Sequence, residues 1–261
     1  MQSIERHKRI LDLVKDREAV SVEDLSAEFD ISPQTIRADL RELDRGKKLI
    51  RFHGGAKLIG SRENLEYQAR RQIAAPQKIA IGKCAAALIA NNSSLFVNIG
   101  TTTEAVCDAL VHHKGLLIIT NNINVANKLR LYKDIEVVIV GGAVRMADGA
   151  IVGEAAVDFI KQFKVDNAII GTSAIDGDGA LLDFDFREVK VAQAIMENSR
   201  NVILAADSTK FERNAPVRIG HLSQVDTFVT DKVGNGGIRA ICEESDVDLR
   251  ETSAQGGAGD K

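Results

Sequence analysis

No run of residues in this sequence approaches the roughly 18 consecutive apolar positions that a membrane-spanning helix requires. The first ten residues, MQSIERHKRI, lack the apolar core of a secretory signal. Cysteine is scarce. Cys84, Cys107 and Cys242 are widely spaced and odd in number, with no CxxC and no Cys/His cluster. Neither a zinc site nor a disulfide framework is therefore expected. Two nucleotide signatures are missing as well: there is no GxxxxGK[ST], and no GxGxxG follows a strand. The expectation from these absences is a reduced, cytoplasmic protein without metal or cofactor.

What is present fits a globular chain, 44% apolar and 27% charged. Its 261 residues leave room for a small module and one larger core. The net charge of −3 argues against nucleic acid only as an average. Residues 32–57 carry seven Lys/Arg (Arg37, Arg41, Arg45, Lys47, Lys48, Arg51, Lys57) against three Asp/Glu, whereas the flanking segments are acidic. A short basic segment inside an acidic chain is a footprint for phosphates, or a solvated helix face.

The pattern around that segment favours phosphates. Ile4, Ile10, Leu11 and Val14 recur at helical spacing and predict a helix over 4–16. Ser21 can cap a short second helix carrying Val22, Leu25 and Phe29. The chain breaks at Asp30-Ile31 and restarts at Ser32-Pro33, a capping residue followed by proline at the first helical position. In the third helix Ile36, Leu40 and Leu43 face a core, which leaves Gln34, Thr35, Arg37, Ala38 and Arg41 near the opposite face. Polar and cationic side chains there suit base edges and phosphates in a major groove. A strand at 49–52, a His53-Gly54-Gly55 turn and Ala56-Lys57-Leu58 then predict a basic hairpin, with Arg51, His53 and Lys57 flanking the turn. The whole reads as a winged helix-turn-helix over 1–58. Residues 59–77, polar and holding Gly60 and Pro76, read as a linker, partly helical.

From residue 78 the class is α/β. A helix at 79–89 precedes the apolar strand Leu95–Ile99, which runs into Gly100-Thr101-Thr102-Thr103 and a helix at 104–110. Further apolar strands end in Thr120-Asn121-Asn122, Gly141-Gly142, Gly171-Thr172-Ser173, Asp207-Ser208 and Thr230-Asp231. Continuous apolar strands separated by helices predict a doubly wound, mostly parallel sheet covered on both faces. In such sheets ligands bind beyond the carboxyl ends of the strands, where these small polar loops converge. The GTTT loop at a helix N-terminus is suited to a phosphate or carboxylate. Thr120, Asn121, Asn122, Gly141, Gly142 and Asp207 complete the polar lining, with Lys190 and Lys210 as candidate cations. The final stretch, 251–261, reads as a disordered tail.

Three runs carry a specific resemblance: Val20-Ser21-Val22-Glu23-Asp24-Leu25, Ile31-Ser32-Pro33-Gln34-Thr35-Ile36-Arg37, and Arg51-Phe52-His53-Gly54-Gly55-Ala56. With the strand-end loops, they resemble the DeoR family of bacterial repressors. The resemblance implies a helix-turn-helix at about 20–39, with Ser21, Ser32, Gln34, Thr35, Arg37, Arg41, Arg51, His53 and Lys57 at DNA. It also implies a sensor domain over 78–250 similar in fold to sugar-phosphate isomerases, matches Arg70 and Lys78 to basic positions of the family, and puts Arg70 and Asn98 with the effector. The segments 96–102, 120–127, 151–154, 182–189, 195–200 and 210–215 are similar to the branch that governs glycerol 3-phosphate use. The partners implied are double-stranded operator DNA, a phosphorylated effector such as glycerol 3-phosphate, and further copies of the chain in a dimer or tetramer. Two positions depart from the pattern. The family carries two arginines before its helix-three aspartate, where this chain has Arg37-Ala38-Asp39. That branch has an acidic residue before GTT, where this chain has Asn98. An isomerase-like enzyme fused to a winged helix is the alternative, since Asp207 and Lys210 are capable of proton transfer. A metabolic isomerase, however, has no use for the N-terminal module.

Overall fold

The computed structural model describes residues 3–17, 19–46, 48–52, 54–57, 67–234 and 236–252. The chain divides into two compact units, Met1–Ile73 and Ala74–Lys261.

In the first unit, α1 (Ser3–Arg17), α2 (Val22–Phe29) and α3 (Pro33–Arg45) pack with β1 (Ala19–Ser21), β2 (Ile50–Phe52) and β3 (Gly55–Lys57). The core is Ile10, Val14, Val20, Val22, Leu25, Ile36, Leu40, Leu43, Leu49 and Ala56. Ile10, Val14, Val22, Leu25, Ile36, Leu40 and Leu43 are helix-periodic, one apolar stripe per helix, and Val20, Leu49 and Ala56 close the core from the strands and the turn before β2. The α2–α3 break has a local cause: Asp30 closes α2 in the left-handed conformation at φ 52°, and Ser26 Oγ donates to the Ile31 carbonyl at 2.5 Å. The hairpin of β2 and β3 gains a third strand that alternation did not reveal, because β1 pairs antiparallel with β3 in the order β1-β3-β2. A short helix, α4 (Tyr67–Gln72), follows within residues expected to be linker, and Arg70 lies half-buried on it.

The second unit is built on α5 (Ala75–Ala86), β4 (Ser94–Val97), α6 (Thr101–Leu110), β5 (Leu116–Thr120), α7 (Ile123–Leu129) and β6 (Ile135–Ile139). A hairpin of β7 (Ala143–Val144) and β8 (Ile151–Val152) leads to α8 (Glu154–Ile160) and β9 (Val165–Ile170). Then come β10 (Ala174–Ile175), β11 (Ala180–Asp183), α9 (Phe186–Glu197), β12 (Ser199–Ala205), β13 (Val217–His221), β14 (Thr227–Thr230), α10 (Gly236–Glu244) and β15 (Asp248–Glu251). Seven strands form one sheet in the order β15-β14-β12-β9-β4-β5-β6, every pairing parallel. Side chains alternate between its faces. Leu95, Val97, Ile118, Ile169 and Ile203 pack with α5, α6 and α7. Phe96, Ile119, Ala168, Ile170, Leu204 and Phe228 pack with α8, α9 and α10. Burial on both faces is why these strands read as unbroken apolar runs. A small antiparallel sheet, β10-β11-β13, is added at the side.

The topology itself marks a place. From β4 the chain winds outward through β5 and β6, then returns to β9 on β4's other side and continues through β12, β14 and β15. Strand order reverses between β4 and β9, and the crevice beyond the carboxyl ends there is where such sheets hold ligands.

Candidate nucleic-acid interface and ligand site

Helix α3 starts as its sequence dictates. Ser32 Oγ accepts from the Thr35 backbone N–H at 3.2 Å and lies 2.9 Å from Thr35 Oγ1, with Pro33 in the first turn. Turning Ile36, Leu40 and Leu43 inward leaves Gln34, Arg37, Ala38 and Arg41 exposed and Thr35 half-buried. Arg37 keeps a loose pair with Glu23 at 3.9 Å, an exposed contact that holds little energy and yields readily to a phosphate. Arg51 is exposed on β2, and Gly54, at φ +91°, supplies the positive-φ position of the turn. His53 and the side chain of Lys57 lie outside the described residues. Ser21 caps α2 as its sequence position suggests, and this leaves it little surface for DNA. It is 5% exposed and its hydroxyl accepts from Asp24 N–H at 2.9 Å, so it serves the start of α2 rather than an outer face. Among the candidates, the exposed set therefore combines Ser32 and Gln34 with the three arginines Arg37, Arg41 and Arg51, and the half-buried Gly54 lies in the turn after Arg51.

At the strand reversal, β4 runs into Asn98-Ile99-Gly100 and α6. Gly100 stands at φ +148°, where other residues are strained, and lets the chain turn directly from strand to helix. Thr103 Oγ1 donates to the Asn98 and Gly100 carbonyls, both at 2.8 Å, and Thr102 is buried beside it. Asn98 is buried and folds back on its own strand, Oδ1 accepting from Ile99 N–H at 2.7 Å. Across the reversal, a side-chain carbon at Gly171 would touch Thr103 and Ile99, so the β4 and β9 loops abut. On the next strand Thr120 Oγ1 donates to the Val97 carbonyl at 2.7 Å, and Asn122 caps α7 while its amide donates to Glu104 Oε1 at 2.9 Å. Asn121, fully buried, donates to the Ile151 carbonyl, but its Oδ1 accepts nothing.

The charge of the site lies opposite. Asp207, beyond β12, is 1% exposed; its Oδ1 accepts from Thr209 N–H at 3.2 Å, and its Oδ2 accepts nothing. Burial pushes this carboxyl up, but Lys210, Lys78 and Thr209 outweigh it and hold the group below the ordinary carboxylate range. Thr230 Oγ1, at the end of β14, is a further buried atom without a partner. Buried polar atoms left open cost stability unless something binds them. Three at the carboxyl edge of one sheet are consistent with a polar ligand, hydroxyl donors meeting the carboxylate and cations meeting an anion.

Lys78 did not figure among the candidate cations, although it matches a basic family position. It is 4% exposed on α5, on the inner face with Ile81, Gly82, Ala85 and Ala86. A lysine at i, i+3, i+4, i+7 spacing with small and apolar residues was the available signal. Gly82 permits that packing: a side-chain carbon there would stand 2.4 Å from the Ala105 carbonyl oxygen of α6. Lys190, by contrast, is exposed on α9 and bonded to Glu154 Oε1 at 2.6 Å, while the cations acting on Asp207 are Lys210 and Lys78. Gly141 is exposed; Gly142, at φ +151°, lets the chain approach Ile151, which a side-chain carbon would meet at 2.9 Å. Gly142 therefore shapes the β6–β7 turn, while a side-chain carbon at Gly141 would meet nothing within 4 Å. Arg70 belongs to the first unit, half-buried on α4.

The β7–β8 hairpin borders the Asn121-Asn122 loop, with Ile151 N–H donating to the Asn121 carbonyl at 2.7 Å. Its Arg145 donates to Asp148, Asp185 and Glu188 at 2.6–3.2 Å, which joins the hairpin to the start of α9. Burial and the nearby Asp183 push the Glu188 carboxyl up, to about 8, against the pull of Arg145.

A three-helix unit with an exposed cationic helix and turn, joined to a parallel α/β unit with a polar strand-end site, defines a ligand-responsive transcription regulator. The chain belongs to the DeoR family: the DeoR-like helix-turn-helix domain matches residues 6–62 and the DeoR C terminal sensor domain residues 73–232. It is 47% identical over 231 residues to the glycerol-3-phosphate regulon repressor of Escherichia coli (strain K12), covering 88% of this chain and 92% of that one. The protein of the same name from Haemophilus influenzae is 47% identical over 239 residues, covering 92% and 93%. Among solved structures, ribose 5 phosphate isomerase A from Neisseria gonorrhoeae aligns with 51% of this chain and 52% of its own at 14% identity and a TM-score of 0.38. Both of these relatives, similar along most of the chain, are named repressors, and this chain is a regulator rather than an enzyme. Among the described residues no helix is long and apolar enough to cross a membrane.

Proposed function

We propose that this protein represses genes for glycerol 3-phosphate use and leaves its operator when glycerol 3-phosphate, or a close sugar phosphate, occupies the sensor unit. The observation that carries this reading is the 47% identity to named glycerol-3-phosphate regulon repressors, which runs through both units. Gln34, Thr35, Arg37 and Arg41 meet the major groove, and Arg51, His53 and Lys57 meet the adjoining backbone. Ser32 orders the start of the reading helix. The phosphate takes the N-terminus of α6 at Gly100-Thr101-Thr102-Thr103, with Lys78 and Lys210 as counter-charges. The effector's hydroxyls donate to Asp207 and Asn121, whose buried oxygens lack partners. Asn98, where that branch carries an acid, removes a negative charge from beside the phosphate. The protein acts in the cytoplasm as a symmetric homo-oligomer, because one winged helix grips few phosphates and paired half-sites multiply the grip.

The effector must bind the DNA-free form better than the DNA-bound form, and a coupling of about 1–3 kcal/mol weakens operator binding several-fold to about a hundredfold. Fluorescence anisotropy on DNA from the region upstream of the protein's own gene, titrated with glycerol 3-phosphate, tests this. Tight binding reversed by the compound is expected. Tight binding that it leaves unchanged would keep the repressor and discard this effector.

A further inference from the structure

Asp39 lies in the middle of α3 on the side turned to the core, between the apolar positions Ile36, Leu40 and Leu43, and is 5% exposed. It is answered from α1. Arg6 Nε donates to Oδ2 at 2.6 Å and Arg6 Nη2 to Oδ1 at 2.9 Å, a two-pronged pairing, and His7 Nε2 stands 3.0 Å from Oδ1. Arg6 and His7 are themselves largely buried, their side chains 12% and 15% exposed. Burial pushes the Asp39 carboxyl up, yet Arg6 and His7 more than offset it, and the group stays below its ordinary range.

A buried ion pair of this kind adds little stability over apolar side chains of the same size. What it adds is direction. Leucine and isoleucine contacts tolerate a helix that rolls slightly, whereas two parallel N–H···O bonds hold only in one setting. The exposed residues Arg37 and Arg41 lie two positions either side of Asp39, and Thr35 lies one turn before it. At a helix surface radius of about 5–6 Å, a roll of about 10° moves these side chains by about 1 Å. That displacement is enough to break a bidentate contact to a base edge.

We infer that the Arg6–Asp39–His7 tie is a positioning device for DNA reading: it fixes the roll of α3 on α1 and thereby which base edges of duplex DNA the exposed face meets. The inference rests on α3 being the reading helix of an operator-binding protein.

The test uses the full chain, a duplex enriched by the wild-type protein from a random library, and a scrambled duplex of equal length. Wild type, the double variant Arg6→Met/Asp39→Leu and the single variant Arg6→Lys are compared at one salt concentration, with thermal melting alongside. The double variant is expected to melt close to wild type and to bind scrambled duplex within about two-fold of it. Its affinity for the enriched duplex should fall by about ten-fold or more, since each lost base contact alone is worth about that factor. Arg6→Lys keeps the charge but not the fork, and is expected to lose part of the discrimination; it carries the test if the double variant does not fold. An enriched-to-scrambled ratio within about two-fold of wild type in either folded variant would overturn the inference. A wild-type chain that enriches no sequence would overturn the operator reading itself, and this inference with it.

Discussion

Replacing Gly82 with alanine tests whether the sensor unit is assembled as described. In an exposed helix interior this change stabilises by about 1 kcal/mol, because alanine loses less backbone freedom. At Gly82 the added carbon would stand 2.4 Å from the Ala105 carbonyl oxygen and 2.6 Å from its carbon, against 3.4–4 Å for ordinary contact. The obstacle is backbone, so α5 and α6 must separate by about 1 Å. Overpacking of this kind costs about 1–3 kcal/mol, which reverses the sign of the helix gain. The net loss lowers the melting temperature by a few degrees, at about 2–4 °C per kcal/mol in a domain of this size. The functional effect is larger, because α6 begins at the Gly100–Thr103 loop and α5 carries Lys78 one turn before Gly82. Moving them apart by about 1 Å spoils hydrogen-bond geometry at a phosphate, and effector affinity should fall by about ten-fold or more. Isothermal titration with glycerol 3-phosphate, with melting and operator binding measured in parallel, reads all three. A variant that melts above wild type and binds the effector equally well would refute the close packing of α5 on α6.

Lys78→Met keeps the volume and removes the buried cation; operator binding should survive, while the effector concentration that releases DNA rises by about ten-fold or more. Release at the wild-type concentration would take Lys78 out of the site. Glu188 sets a pH dependence of stability. Its folded pKa is raised, so the stability linked to its proton is fully present below the ordinary carboxylate range and is lost as pH rises through about 8. Wild type should therefore melt lower at pH 9 than at pH 6.5, and Glu188→Gln should flatten that fall; parallel curves for the two would contradict the assignment. Arg37→Ala is expected to weaken operator binding by about 1–3 kcal/mol if it meets a base, and an unchanged affinity in anisotropy would remove it from the interface.

The two-unit architecture was legible because each signal was local. Ser32-Pro33 announces a helix start, the Ile36, Leu40, Leu43 stripe points it, and apolar runs ending in GTTT or TNN announce strands of a parallel sheet. The strand ends were foreseeable for the same reason. What stayed hidden depends on contacts distant in sequence. β1 is three residues long and exists through pairing with β3. The hairpin of β7 and β8 and the sheet of β10, β11 and β13 are made of two- to five-residue strands whose partners lie up to about 40 positions away. Lys78 read only as a basic position matching the family until its helix face was found buried, and nothing local in the sequence placed Glu154 beside the exposed Lys190. Asp39 counted as one more charge in a basic segment; only the fold places Arg6 against it.

If one chain couples effector and operator, each must weaken the other's binding equally. Isothermal titration of glycerol 3-phosphate into the protein, first alone and then saturated with operator DNA, yields two affinities. Effector binding to the DNA-saturated protein is expected to be weaker, by the same factor by which the effector weakens operator binding. Equal affinities in the two titrations would contradict the coupling.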